Sequence, residues 1–228
     1  MSYKWAYKYI TKDIKLIFEV GSRDCLDAIE LNKHFNCKVV AFECNPDGIS
    51  ECINNINDRN ITTNSVILVQ KAVTDCDGTI TFRPFIKEKY NNIGASSLFE
   101  IDFISTRDKS DPDYGITDIQ KCITVNCIRL DTFIDNISII TPDLLCMDVQ
   151  ESELLVLLGL GNKIQYISYI VTEASSVNTY KNGCTFNDIH TYLINNNFEF
   201  IATNSGTSLP ELVNTFSFFD CIYKNRNL

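Results

Sequence analysis

Four carboxylates stand where apolar runs end: Glu19 in "LIFEV", Glu43 after "VVAF", Asp148 in "LLCMDV" and Glu173 in "YIVTE". In an open parallel sheet, ligands bind outside the carboxyl ends of the strands, where strand order reverses, so acids at those ends can face one ligand. Gly21 follows the first run in "EVGSRDC" and can take the positive φ of a tight turn that brings backbone close to a ligand. Glu43 lies about twenty residues further on, the spacing at which an acid after the second strand accepts hydrogen bonds from ribose hydroxyls. The pattern suits a nucleotide-type cofactor. A dinucleotide pyrophosphate, however, needs a glycine-rich turn, and "GSRDC" offers one glycine beside bulky Arg23. A rim of acids repels phosphate and attracts a cation. S-adenosylmethionine, which has a sulfonium and no phosphate, satisfies both conditions.

Positioning these acids requires strands alternating with helices. The apolar runs predict strands over 14–20, 37–43, 65–73, 121–130, 143–149, 167–173, 198–202 and 219–224. Helical periodicity predicts helices over 24–35, 46–56, 131–136, 153–160 and 185–195. Pro46 suits a first helical turn. The run 79–85 alternates like an added or edge strand, because Pro84 cannot sit in a central one. This alternation implies an α/β fold, a mostly parallel sheet with helices on both faces. Residues 87–120 break the pattern with an Asp/Ser/Asn-rich stretch, long enough for a connection that it is expected to be functional or mobile. With no linker or repeat, residues 1–228 read as a single domain with an N-terminal extension over 1–13.

Hydrophobic residues make up 45% and charged residues 21%, the balance of a soluble globular chain. The net charge of −9 argues against nucleic acid as partner, which asks for a basic surface. No run reaches a membrane span, and residues 1–16, broken by lysines, do not read as a secretory leader. The ten cysteines lack zinc spacing and mostly lie in apolar runs, as Cys146 and Cys221 do. They are expected to be reduced in a cytoplasmic protein, and no metal is expected. His34, late in a helix, reads as structural and His190 as a candidate acceptor-side group. Tyr3, Trp5, Tyr7 and Tyr9 read as an N-terminal helix packed on the sheet edge.

In order along the chain, "FEVGSRDCLDA", "VVAFECNP", "VQKAVTDCDGTITF", "GASSL", "VNCIRLDTF" and "LLCMDVQESELLVLLG" resemble the blocks of the FkbM-type S-adenosylmethionine-dependent methyltransferases. The resemblance implies a Rossmann-like seven-stranded sheet of order 3-2-1-4-5-7-6 with the last strand antiparallel. It further implies cofactor contacts from Glu19, Gly21, Ser22, Arg23 and Asp24, from Glu43, Cys44 and Asn45, from Ala72 and Val73, from Ser96 and Ser97, and from Asp148. The activity implied is O-methylation of a sugar, glycan unit or other small-molecule hydroxyl. A poor hydroxyl nucleophile benefits from a base. Asp148 is the first candidate, Glu173 the second, and Glu153 matches the family's second acid or serves its helix's first turn. Three positions depart from the family pattern, with Cys25 and Glu151 replacing glycines and Cys44 a proline. Cys25 is expected on helical backbone, and Glu151 is expected to crowd the acceptor pocket. The alternatives are a catalytically silent S-adenosylmethionine-binding module and, against the missing glycines, a nicotinamide oxidoreductase. Oligomeric state is left open.

Overall fold

The computed structural model describes residues 2–62, 64–90, 92–104, 109–137, 140–206 and 218–228. Its main sheet is built from apolar strands, the central ones buried on both faces and the edge strands β3 and β9 half-buried: β1 (Leu16–Val20), β2 (Lys38–Phe42), β3 (Val66–Val69), β7 (Leu144–Met147), β8 (Tyr169–Ser175), β9 (Phe198–Thr203) and β10 (Phe218–Asn225). The spatial order is β3-β2-β1-β7-β8-β10-β9. Counting main-sheet strands alone, that is the expected 3-2-1-4-5-7-6. β1, β2, β3, β7 and β8 pair in parallel, and β10 runs antiparallel to both β8 and β9. Strand order reverses between β1 and β7, so a crevice opens beyond their carboxyl ends.

Alternation assigns each strand's residues to two cores. Ile17, Val39, Ala41, Leu144, Cys146 and Val171 face α1 (Leu26–Phe35) and α2 (Pro46–Asp58), joined by Tyr3 and Ala6 of a 3-10 helix over Tyr3–Tyr9. The N-terminal aromatics therefore help cover a sheet face, not its edge. Phe18, Val20, Val40, Phe42, Leu145 and Met147 face α3 (Leu130–Ile137), α4 (Glu153–Leu158) and α5 (Phe186–Asn195). Phe18, Phe42 and Phe133 meet edge-to-face with centroids 5.0–5.8 Å apart. Such pairs contribute about 0.5–1.5 kcal/mol each beyond burial, and these anchor the ends of β1 and β2 just below the crevice.

The expected strand 65–73 is two strands. After Val69 the chain leaves the main sheet, and Ala72–Val73 (β4) pairs with β6 (Ile123–Ile128), which also pairs with β5 (Gly78–Phe82). The resulting sheet has the order β4-β6-β5, with β5 at an edge, as Pro84 requires. Of the irregular stretch 87–120, residues 91 and 105–108 lie outside the described residues. The described part carries a short 3-10 helix (Ile93–Ala95) and packs Ile101, Phe103, Ile116 and Ile119 around Phe85. It thereby leans over the crevice. Among the described residues, no helix is long and apolar enough to cross a membrane.

Candidate active site

Val20 pairs with Phe42 and Met147, and Met147 pairs with Thr172. One residue beyond these pairs, Glu43, Gly21, Asp148 and Glu173 form a row across the mouth of the crevice, extended by Asp220, the partner of Glu173. Glu19 lies two residues deeper and is buried, so it is not a rim acid. Burial pushes its carboxyl well above the usual range, and the Ser22 hydroxyl donates to it. Gly21 (φ +84°) meets the reason for its glycine in the protein itself: a Cβ there would lie 1.9 Å from the Asp148 carbonyl oxygen. The close approach is strand to strand across the switch point.

Two clefts meet at Gly21 and Asp148, sharing Arg23 and Gly94 as well. The first, of about 600 Å³, has an apolar wall of Ala72, Val73, Phe82 and Leu98 opposite Glu43, Cys44 and Asn45. Glu43 is buried, and backbone N–H groups donate to it from Arg23 (2.7 Å), Cys44 (2.8 Å) and Asn45 (2.7 Å). Burial raises its pKa while these bonds oppose the rise. An ionised carboxylate offers about four acceptor positions, so roughly one remains for a ligand hydroxyl. Asn45 caps α2 through Asp47 N and donates to Ser96 Oγ at 3.4 Å, joining the serine loop to the cleft.

The second cleft, of about 1090 Å³, is lined by carboxylates (Glu19, Asp24, Asp27, Asp148, Glu173) and by rings (Tyr3, Tyr90, Phe103, Tyr180, Phe218). Among the described residues its one lining Arg or Lys is Arg23, which pairs with Asp24 at 2.9 Å. Gln150, absent from the sequence-based candidates, donates from Nε2 to Asp148 (2.8 Å) and Glu173 (2.6 Å). Burial, then the neighbouring Asp148 charge, pushes the Glu173 carboxyl well above the usual range. Tyr180, equally missed, directs its one hydroxyl hydrogen to Ala95 O (2.6 Å), with Gln150 Oε1 at 3.1 Å as a second acceptor sharing it. Tyr180 lies outside the quoted blocks, and Gln150 lies within one but carries no titratable group to mark it, so long-range contact reveals the role of each.

Several expected residues line neither cleft. Glu153 is buried and accepts from Val149 N–H at 3.0 Å, ahead of α4, with its pKa raised to about 8 by burial. Glu151 does not crowd the acceptor side: its carboxylate turns away to accept from Thr179 N (2.6 Å) and Tyr180 N (3.1 Å). Its left-handed backbone (φ +66°) suits the glycine it replaces, and these bonds hold it there. Cys25 is also left-handed (φ +60°), not helical as expected, with its thiol fully buried. Ser97 is buried and donates to Gln150 O at 2.7 Å, so only Ser96 of the serine pair lines a cleft. His34 stacks on Tyr7 at 3.9 Å, and His190 bonds Tyr223 OH at 3.0 Å, which gives His190 a packing role away from both clefts.

The model of the methyltransferase FkbM domain matches residues 19–200. The chain belongs to the FkbM methyltransferase family. It is an S-adenosylmethionine-dependent methyltransferase, as expected from the sequence. M. capricolum TrmK, solved with S-adenosylhomocysteine, superposes with TM-score 0.51 at 10% identity, covering 99% of this chain and 69% of that one. Magnesium protoporphyrin IX methyltransferase from Synechocystis PCC 6803, solved with S-adenosylhomocysteine, gives 0.50 at 9% identity, covering 97% and 78%. These likenesses establish the Rossmann-like fold. No curated protein matches the chain.

Proposed function

We propose that this methyltransferase acts on a hydroxyl oxygen of a carbohydrate or similar small molecule held in the second cleft, with the adenosine half of the cofactor in the first. The observation that carries this reading is the junction of the two clefts at Asp148. The first cleft fits the cofactor, since an apolar wall suits adenine and Glu43 keeps an acceptor position for a ribose hydroxyl. The acids beyond Gly21 suit a cationic tail, and the single glycine of this turn does not suit a pyrophosphate. Bound S-adenosylmethionine supplies an electrophilic methyl group.

The chain's own part is to bind, orient and deprotonate. Tyr90, Phe103, Tyr180 and Phe218 present apolar rings to the C–H face of a sugar, and Asn92 and the carboxylates hydrogen-bond its hydroxyls. Asp148 accepts the acceptor's proton, and Glu173, held by the same Gln150 amide, stands beside it. The acidic lining favours a neutral or amine-bearing acceptor over a phosphorylated one.

Calorimetry with S-adenosylhomocysteine and NAD, followed by methyl transfer to a panel of neutral, amino and nucleotide sugars, tests the reading. It expects binding of S-adenosylhomocysteine alone and transfer to neutral or amino sugars. Cofactor binding without transfer to any hydroxyl would point to the silent module or to another acceptor atom.

A further inference from the structure

We propose that Gln150 is a positioning residue that clamps Asp148 and Glu173, from adjacent strands, into one hydrogen-bonded pair facing the acceptor cleft, and that Tyr180 fixes the clamp. The inference rests on the reading of Asp148 as the base, but its test does not require an acceptor. Two carboxyl groups side by side in one row repel when both are charged, and a bridging donor lessens that repulsion. Gln150 supplies both amide hydrogens, one to each carboxyl, at 2.8 and 2.6 Å. Its carbonyl faces Tyr180 OH at 3.1 Å, whose one hydrogen is shared with Ala95 O at 2.6 Å, so both ends of the amide meet a partner inside the protein.

The clamp is anchored on both sides. Gln150 has left-handed backbone (φ +54°), and its own carbonyl oxygen accepts from Ser97. Tyr180 is buried, reaches Ala95 O at 2.6 Å, and takes its backbone position from the Glu151 carboxylate. The departure at Glu151 thus acts on the acids indirectly, by seating the tyrosine that orients the glutamine. Because Ala95 and Ser97 flank Ser96 of the first cleft, the same contacts join the acid pair to the loop over the cofactor side.

Gln150 therefore sets the proton affinity of the pair as well as its geometry. The groups around Glu173 are Asp148 after β7, Glu153 on α4, Asp220 on β10 and Tyr180. All are acids or a phenol, and the cation of this cleft among the described residues, Arg23, pairs with Asp24 instead. The Gln150 amide is the donor that favours its ionised form. Losing it raises the midpoint at which Glu173 titrates.

The test is a pH titration of the full chain labelled with 13C at the glutamate carboxyls, with Glu173 assigned through Glu173→Gln. Gln150→Leu is expected to raise the Glu173 midpoint by about one pH unit, a tenfold change in proton affinity. Affinity for S-adenosylhomocysteine should stay within about threefold, since Gln150 does not line the first cleft. Tyr180→Phe, which leaves Gln150 in place but unbraced, should move the midpoint the same way by less. An unchanged Glu173 midpoint in folded Gln150→Leu overturns the proposal, as does an unchanged midpoint in Tyr180→Phe if Gln150→Leu does not fold. Failure of the wild-type chain to bind S-adenosylhomocysteine would instead strike the functional reading and leave the midpoint shift to be judged by itself.

Discussion

Glu43→Gln separates the two jobs of one side chain. The carboxylate accepts Cys44 N and Asn45 N on Oε1 and Arg23 N on Oε2. A glutamine can keep the paired bonds on its carbonyl oxygen, but its NH₂ then faces the Arg23 N–H, donor against donor. One charge-assisted bond of about 1.5–3 kcal/mol is lost, and the other two weaken as the charge disappears. Unfolding stability should therefore fall by about 2–4 kcal/mol. The acceptor position left for a ribose hydroxyl is a second, separate loss. If it too is worth about 1.5–3 kcal/mol, S-adenosylhomocysteine binds roughly tenfold or more weakly, at about 1.4 kcal/mol per decade. Urea unfolding reads the first quantity, and calorimetry under conditions where the variant stays folded reads the second. A variant that loses stability yet binds S-adenosylhomocysteine as the wild type does would refute the placement of the ribose at Glu43.

Asp148→Asn keeps shape and removes charge. Turnover should drop by roughly 10²–10⁴ with S-adenosylhomocysteine affinity within a few-fold, and a collapse of binding in calorimetry would make Asp148 an anchor instead of a base. Glu151→Gly relieves left-handed strain of about 1–2 kcal/mol but deprives Thr179 N and Tyr180 N of their acceptor, so urea unfolding should show a net loss of about 1–3 kcal/mol. Glu153, with its folded pKa raised to about 8 from an ordinary carboxylate value, holds a proton that the unfolded chain releases. Its contribution is fully present below the unfolded pKa and is lost as pH rises towards 8, with a slope of at most about 1.4 kcal/mol per pH unit. Glu153→Gln should flatten that decline in denaturation midpoints between pH 5 and 8, and an unchanged slope would count against a buried neutral Glu153.

Local pattern was enough to read the elements and the fold class. An apolar run of strand length followed by an amphipathic stretch encodes a buried parallel strand and its covering helix whatever the partners. Hence β1, β2, β7 and β8, their helices and the strand-end acids Glu43 and Asp148 were legible along the chain. Only tertiary structure decided where pairing was non-local. The run 65–73 looks continuous, yet β6, some fifty residues away, draws Ala72 and Val73 out of the main sheet into a second one. Glu19 and Glu173 read alike, but pairing register buries one two residues below the mouth and brings the other to Asp148. Glu151 and Glu153 looked like residues of the acceptor side until folding supplied backbone N–H groups for each carboxylate to accept from. Gln150 acquires its importance only because three distant segments bring Asp148, Glu173 and Tyr180 within reach of one amide. Side-chain period is a property of the chain itself, whereas hydrogen-bond partnership depends on what the closed fold places alongside.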